Sequence, residues 1–203
     1  ISERDRRRTA YHEAGHALVA ALLPDSHPVH KVTIIPRGRA LGITHFLPGD
    51  HMNYSKQQFE SQITMAMGGR AAEEVIFDEV NTGASNDLKQ ATRIARSMIT
   101  VYGMSEALGP VHLANDGSAE VFMGRDFGRG PEYSEATAQK IDSEVRSRLE
   151  RGLSFAKNLL LANIHILHGI AQHLLEKETI DGAEFLILVD GMNPVTLPEP
   201  AAV

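Results

Sequence analysis

The segment AYHEAGHALVA (residues 10–20) restricts the possible folds of this chain more than any other stretch. Its alanines recur, together with Leu18, at the spacing of one apolar helix face. The segment therefore predicts a buried helix from about residue 5 to residue 23, which Pro24 ends. It also carries two histidines and a glutamate, and buried charge is costly unless it is paired or bound to a metal ion.

The spacing of these polar residues, H-E-x-x-H, accounts for their presence. His12 and His16 are four residues apart, just over one helical turn, so both imidazoles lie on one face of the helix. Two nitrogens in that arrangement can bind a single Zn²⁺. Glu13 lies roughly 100° further around the helix, where it can reach a zinc-bound water and act as general base.

Gly15 leaves room for another backbone to approach. A solvent-facing polar stripe is the alternative, and the alanine-rich surroundings disfavour it.

Composition limits how such an ion could be held. The chain has 203 residues and no cysteine, so its zinc ligands must be His, Asp or Glu. Hydrophobic residues make up 42% and charged residues 23%, values typical of a soluble globular domain. A net charge of −6 argues against nucleic-acid binding. The sequence has no apolar run of the roughly eighteen residues that span a bilayer, so we expect no membrane-spanning segment within it.

Hydrophobic periodicity beyond the first helix predicts a mainly α-helical fold with a small β-hairpin or sheet. The β-branched runs KVTIIP (31–36) and LGITHF (41–46) flank the turn RGRA and predict the hairpin. SKQQ (55–58) has the spacing of a capping box and predicts a helix that continues to about residue 77. A further helix is expected from about residue 86 to residue 102.

The last third of the sequence, about 134–190, is strongly helical. Apolar residues recur there every three or four positions, and Asn163 predicts a break between two long helices. A short third helix is expected from about residue 181 to residue 189. The Pro-rich residues 192–203 are expected to form a flexible tail. In the Gly-rich segment before these helices, a short strand is predicted near Val121.

The third ligand of a zinc site is less clear from the sequence. A catalytic zinc takes three protein ligands and keeps a fourth position open. The extended metzincin motif needs a glycine and a histidine where this chain has Val19 and Leu22, so that class is excluded. Glu73 and Glu74 resemble the downstream helical glutamate of other zincins. Asp87 lies in the first turn of a predicted helix, where the helix dipole favours a carboxylate. These physical arguments leave the choice open.

Five ordered motifs along the chain carry a family resemblance: HEAGHA, IIPRGRALG-T, GGRAAEE, TGASNDL-QAT-IAR-M and LLEKETIDG. Together they resemble the peptidase domain of the FtsH-type AAA proteases, a zincin-like helical domain, over roughly residues 5–191. The resemblance implies that zinc is held by His12, His16 and Asp87 and that Glu13 is the general base. A glutamate has also been proposed as a metal ligand at the family position that Glu73 occupies. We therefore keep Glu73 as a candidate that contacts a ligand residue from behind.

The same resemblance implies a larger, ATP-dependent enzyme. This chain has no G-x-x-x-x-G-K-[ST] motif, so ATP would act only through an ATPase domain outside these residues. Residues 1–9 are then expected to be a linker from that domain, and residues 10–191 the zinc metallopeptidase domain. By resemblance the full protein is a homo-hexamer that degrades unfolded or membrane proteins. It would be anchored in a bacterial inner membrane facing the cytoplasm, or in an organelle inner membrane. The anchor is expected outside these residues, which form a soluble part.

The strand GITHF (42–46) is a candidate for substrate binding. An extended polypeptide could pair with the backbone of Ile43, Thr44 and His45 and gain affinity with little sequence preference. The alternative is a hairpin that only packs on the core.

Two other functions compete with a zinc endopeptidase. The helices could form an oligomerisation module whose zinc site is vestigial, although the presence of His12, Glu13, His16 and Asp87 together argues against it. The chain could also be a zinc hydrolase of small molecules, which only the family resemblance disfavours. Glu13→Gln separates the first possibility from a peptidase, because a peptidase should keep zinc and lose activity.

Overall fold

The computed structural model describes residues 1–47, 53–114 and 132–200, in which α-helices predominate. The helices, in chain order, are α1 (Glu3–Leu22), α2 (Lys56–Phe77), α3 (Ser85–Thr100), α4 (Glu135–Ala162), α5 (Ile164–Lys177) and α6 (Gly182–Asp190). Three strands, β1 (Val29–Thr33), β2 (Ile43–Phe46) and β3 (Thr179–Asp181), form one antiparallel sheet. The prediction of a mainly helical fold with a small sheet is confirmed. None of the described helices is both long and apolar enough to cross a bilayer.

Helix α1 lies at the centre of the helical packing. It begins after Ser2, whose hydroxyl accepts a hydrogen bond from the backbone N–H of Asp5 at 3.1 Å, and it ends shortly before Pro24. Every residue from Ala10 to Ala20 is buried, so this part of α1 is enclosed on all sides instead of presenting the one apolar face predicted, whereas the N-terminal part of α1 is largely exposed. Helices α2 and α5 and strand β1 pack against it. The polar residues of the H-E-x-x-H motif therefore lie inside the molecule.

The crossing of α1 and α2 depends on two glycines that face each other. A Cβ atom at Gly15 would overlap the carbonyl oxygen of Gly68 and lie 2.7 Å from the Cβ of Ala72. A Cβ atom at Gly68 would lie 2.8 Å from the carbonyl oxygen of Gly15. Because backbone atoms cause both clashes, only glycine permits this close separation of the helices. The close approach predicted at Gly15 is confirmed.

Strand β1 is the centre of the sheet, with β2 and β3 on either side. It forms the predicted hairpin with β2, in which Val32 lies opposite Thr44. Strand β3 is not apparent from the sequence: it directly precedes α6 and pairs with β1, so that Ile180 also lies opposite Val32. Strand β2 is therefore one edge of the described sheet.

Two local sequence signals correctly locate helix boundaries, at the start of α2 and between α4 and α5. Ser55 and Gln58 form a reciprocal capping box at the start of α2. Asn163 separates α4 from α5, and its buried amide donates a hydrogen bond to the Leu159 carbonyl at 2.9 Å. A 3-10 turn (Thr82–Ala84) leads directly into α3.

The segment after α6 packs against the helices as far as it is described. The side chain of Asn163 accepts a hydrogen bond from the Val195 N–H at 2.7 Å and donates one to the Val195 carbonyl at 2.8 Å. Leu197 packs against the core. Up to residue 200 the structure thus differs from the flexible tail expected for residues 192–203, because a buried amide and an apolar side chain attach the segment. The strand predicted near Val121 lies outside the described residues.

Candidate metal centre

His12 and His16 bring their imidazole rings together inside the molecule, in agreement with their one-turn spacing. Both lie on α1, and their Nε2 atoms are 3.1 Å apart. Each residue is only 8% exposed. Two ring nitrogens this close, with little access for water, require a proton or another cation between them.

Asp87 completes this cluster from the first turn of α3. Its Oδ2 atom lies 3.1 Å from Nε2 of His12 and 3.2 Å from Nε2 of His16. Asn81 directs the chain into α3, because its Oδ1 accepts a hydrogen bond from the Gly83 N–H at 2.7 Å. Among the described residues, His12, His16 and Asp87 are the one group of three whose donor atoms could hold a metal ion.

The separations of these three donor atoms fit a tetrahedral metal ion. Zn–N and Zn–O bonds of about 2.0–2.1 Å place neighbouring ligand atoms about 3.3 Å apart in a tetrahedron. The three distances in the cluster are 3.1, 3.1 and 3.2 Å. Two imidazole nitrogens and a carboxylate oxygen are also a donor set that Zn²⁺ accepts. The cluster therefore fits zinc in both geometry and ligand chemistry.

A hydrogen-bond acceptor holds the other ring nitrogen of each histidine. Nδ1 of His12 lies 2.8 Å from Oε1 of Glu73 on α2. Nδ1 of His16 lies 2.8 Å from the carbonyl oxygen of Met65. A carboxylate and a carbonyl only accept hydrogen bonds, so each Nδ1 carries a proton and donates it. This tautomer leaves both Nε2 atoms available to a metal ion.

The two candidates for the third ligand occupy different positions. Asp87 faces both Nε2 atoms, whereas Glu73 contacts His12 at the opposite ring nitrogen and is 3% exposed. Glu74 pairs instead with Arg70 on its own helix, at 3.3 Å. The geometry thus places Asp87 among the donor atoms and Glu73 behind one of them.

A glycine on α2 makes room for both imidazoles. A Cβ atom at Gly69 would overlap the Cε1 and Nε2 atoms of His12 and would lie 2.6 Å from Nε2 of His16. The sequence contains a signal for this residue, since MAMGGRAA places two glycines in a helical segment, where glycine is unfavourable. Its role depends on the position of α1, which the sequence alone does not reveal.

Electrostatics in the cluster favours positive charge. Burial by itself would lower the pKa of His12, but hydrogen bonds with Asp87 and Glu73 outweigh it and raise that pKa to about 10. Burial would raise the pKa of Asp87, but its hydrogen bonds with His12 and His16 hold it well below the usual range. Without a metal ion the cluster therefore holds a proton, which a divalent cation would displace.

Glu13 and the predicted substrate strand meet next to this cluster. Glu13 is 7% exposed, and its Oε2 accepts a hydrogen bond from the Thr44 hydroxyl at 2.7 Å. Thr44 lies on β2 with Ile43 and His45, all three partly buried, at the edge of the sheet. The contact between Thr44 and Glu13 joins residues 31 positions apart, and no local sequence signal indicates it.

Comparison with known proteins adds an independent observation. The model of peptidase family M41 matches residues 1–188. The ATP-dependent zinc metalloprotease FtsH of Rubrobacter xylanophilus is 50% identical over 192 residues, which are 94% of this chain and 29% of that protein. The FtsH protein of Magnetococcus marinus is 49% identical over 201 residues, 98% of this chain and 30% of that protein. That of Haemophilus influenzae is 47% identical over 201 residues, 98% of this chain and 31% of that protein.

These matches cover almost all of the chain but only part of each relative. The chain spans less than a third of the length of these three relatives. The resemblance predicted from the five ordered motifs is confirmed by identities near one half over 94–98% of the chain. With a family model that extends from residue 1 to residue 188, the similarity shows that this chain belongs to peptidase family M41.

Proposed function

We propose that this chain is the zinc-dependent endopeptidase part of a longer ATP-dependent protease. The observation that carries the proposal is the convergence of three donor atoms, Nε2 of His12, Nε2 of His16 and Oδ2 of Asp87, at 3.1–3.2 Å from one another. Membership of a peptidase family and the name zinc metalloprotease given to the relatives support it. In this proposal His12, His16 and Asp87 hold one Zn²⁺ per chain.

In the proposed mechanism, the residues around the metal cluster have separate roles in peptide-bond hydrolysis. When bound, Zn²⁺ supplies a Lewis acid for the scissile carbonyl and for the attacking water. Glu13 takes a proton from that water and delivers it to the leaving amine as the peptide bond breaks. Glu73 and the carbonyl of Met65 orient the two imidazoles through hydrogen bonds from Nδ1. One water is consumed for each bond cleaved.

The proposed substrate is an extended polypeptide. Strand β2 is an edge of the described sheet, and an extended chain could pair with the backbone of Ile43, Thr44 and His45. Pairing through backbone groups gives affinity with little sequence preference, and it requires that the substrate be unfolded. Unfolded proteins are therefore the proposed substrate class, to which the family resemblance adds membrane proteins.

The remaining proposals concern residues beyond this sequence. The relatives are named ATP-dependent, and this chain contains no G-x-x-x-x-G-K-[ST] motif, so an ATPase domain elsewhere in the protein would unfold the substrates. We propose, from the family, a homo-hexamer whose membrane anchor also lies outside these residues. Such a protein would be anchored in a bacterial inner membrane facing the cytoplasm, or in an organelle inner membrane.

Zinc content and peptide cleavage together test the proposal. The purified chain is expected to bind one Zn²⁺ and to cleave a fluorogenic unfolded peptide. Glu13→Gln should keep the ion and lower the cleavage rate by about 10²–10⁴-fold. Glu74→Gln, which changes a glutamate paired with Arg70, is the matched control and should cleave normally. Failure of the chain to bind zinc would contradict the site, and unchanged cleavage by Glu13→Gln would contradict the role of Glu13.

A further inference from the structure

The hydrogen bond between Thr44 and Glu13 serves neither the donor atoms of the metal cluster nor the backbone pairing of β2. From it we infer that Thr44 is a positioning residue, which holds the Glu13 carboxylate in its working orientation. Oγ1 of Thr44 lies 2.7 Å from Oε2 of Glu13 and 3.1 Å from the Glu13 carbonyl oxygen. The inference rests on the proposed function, because it assigns Thr44 a part in that reaction.

Of these two contacts, the 2.7 Å hydrogen bond to the Glu13 carboxylate is the one that positions the base. The carbonyl oxygen of Glu13 already accepts a hydrogen bond from the N–H four residues later, as in any α-helix. The Thr44 hydroxyl has one proton to donate, and an ionised carboxylate is a stronger acceptor than a carbonyl. Within the part of the chain that the structure describes, Thr44 is the one side chain that hydrogen-bonds to the Glu13 carboxylate.

A single hydroxyl can fix this carboxylate because packing already confines the rest of the side chain. A glutamate has several rotatable bonds, and a free side chain spends much of its time in unproductive rotamers. Glu13 is 7% exposed, and its stem lies beside Gly42, where a Cβ atom would be 3.0 Å from Cγ of Glu13. Packing at the stem and a hydrogen bond at the tip together select one orientation.

The first residues of β2 and the glycine directly before it supply both of these contacts. Gly42 and Thr44 are two residues apart, so an extended chain directs them to the same side, here toward α1. Strand β2 is also the edge proposed to pair with the substrate. A polypeptide would therefore dock on the same strand that holds the general base. In this arrangement, movement of β2 changes the position of substrate and base together.

Thr44→Val tests the inference, because valine has the shape of threonine without its hydroxyl. We expect kcat for a fluorogenic peptide to fall about tenfold or more, with KM little changed, since a hydrogen bond to a charged group is lost. Thr44→Ser restores a hydroxyl and should recover most of kcat. If the valine variant does not fold, Thr44→Ala provides the same comparison.

Thr179→Val is the matched control on the same sheet. The Thr179 hydroxyl lies 2.9 Å from the Thr33 hydroxyl and makes no contact with Glu13. Its loss removes a hydrogen bond of the sheet without touching the base. We therefore expect both kcat and KM of Thr179→Val to match the wild type.

Crystal structures test the role of Thr44 without relying on the rate of peptide cleavage. Crystal structures of the zinc-free chain should show the Glu13 carboxylate in one position in the wild type and in Thr44→Ser. In Thr44→Val the carboxylate should be displaced or occupy several positions. Zinc content after loading, measured by atomic absorption, should be equal in all three proteins, because Thr44 touches none of the metal donor atoms.

The outcomes distinguish this inference from the proposed function. If the wild-type chain cleaves no peptide, the proposed function fails, and the crystal structures still decide the role of Thr44. If the wild type cleaves and Thr44→Val has the same kcat, or changes only KM, the inference is overturned. It is equally overturned if Glu13 keeps its position without the hydroxyl, or if Thr44→Val loses zinc.

Discussion

Nδ1 of His12 donates a hydrogen bond to Oε1 of Glu73 across 2.8 Å, and both residues are buried. The contact joins α1 to α2 and fixes which nitrogen of His12 remains for a metal ion. It also places negative charge behind the imidazole, which makes Nε2 a better donor. In the proposed zinc site, Glu73 would therefore influence the metal affinity although it is not one of the three donor residues.

Replacing this glutamate by glutamine should weaken zinc binding without abolishing it. Glu73→Gln keeps the size of the side chain and an acceptor oxygen but removes the charge behind His12. Changes at such positions typically lower metal affinity by about 10–100-fold. Competition with a chromophoric chelator measures the Kd for zinc. Glu74→Gln, one residue further along α2, is the control, and equal affinities for Glu73→Gln and the wild type would contradict this role of Glu73.

Asp87→Asn should have a larger effect, because Asp87 faces both Nε2 atoms of the cluster. A neutral carboxamide is a poor substitute for a carboxylate on zinc. The loss in affinity should therefore exceed the roughly 100-fold upper end expected for residues behind the ligands. The same chelator competition measures it. If Glu73→Gln proves more damaging than Asp87→Asn, the positions assigned to the two carboxylates are reversed.

Gly69→Ala should close the space that the two imidazoles occupy. A methyl group there would overlap the ring of His12 and lie 2.6 Å from Nε2 of His16, so a histidine must rotate away. Alanine favours a helix over glycine by up to about 1 kcal/mol, so zinc affinity should suffer more than the stability of the zinc-free chain. Zinc content and thermal unfolding measure the two effects.

Gly169→Ala on α5 is the control for that substitution. A Cβ atom at Gly169 would meet only the flexible end of Met192, at 2.9 Å, and the variant should bind zinc normally. Full zinc binding by Gly69→Ala would contradict the requirement for glycine beside the histidines.

Zinc removal should destabilise the fold, because the donor atoms belong to two separate helices, α1 and α3. An ion present at 1,000 times its Kd adds about 4 kcal/mol to the free energy of unfolding. For a domain of this size that corresponds to a fall in Tm of roughly 10 °C on chelation. Thermal unfolding with and without EDTA measures it. The Tm of Asp87→Asn should fall little on chelation. If EDTA leaves the wild-type Tm unchanged, that result would contradict an ion bound between these helices.

Ile43→Pro should impair peptide cleavage while the bound zinc stays unchanged. Proline lacks the N–H group and disturbs a strand, so backbone pairing between β2 and a peptide is lost. None of the three metal donor atoms lies on β2. The expected change includes a rise in KM, which separates this variant from Thr44→Val, whose KM should be little changed. Normal cleavage by Ile43→Pro would mean that the hairpin only packs on the core.

Features encoded by neighbouring residues could be predicted from the sequence. The capping box of Ser55 and Gln58 depends on bonds within a single helical turn, and so does the common face of His12 and His16. The break at Asn163 also follows a local pattern, although its buried amide further binds Val195, which lies 32 positions away. Local chemistry therefore determines these boundaries.

Features that join distant residues could not be predicted in this way. Strand β3 has only three residues, and it pairs through contacts such as Thr33 with Thr179, 146 positions apart. The choice between Asp87 and Glu73 depends on which nitrogen of His12 each carboxylate faces. Both residues are carboxylates on helices, and the position of Asp87 in the first turn of its helix does not decide between them, so only the relative placement of α1, α2 and α3 separates them.

Strand β3 has a consequence for how the protein is made. The hairpin of β1 and β2 leaves the ribosome long before Thr179, and a two-stranded hairpin alone is marginally stable in water. The sheet can therefore reach its final form only after α5 has been synthesised. A nascent copy is itself an unfolded polypeptide, and throughout most of its own translation it would lack the finished sheet whose edge we propose as the docking site.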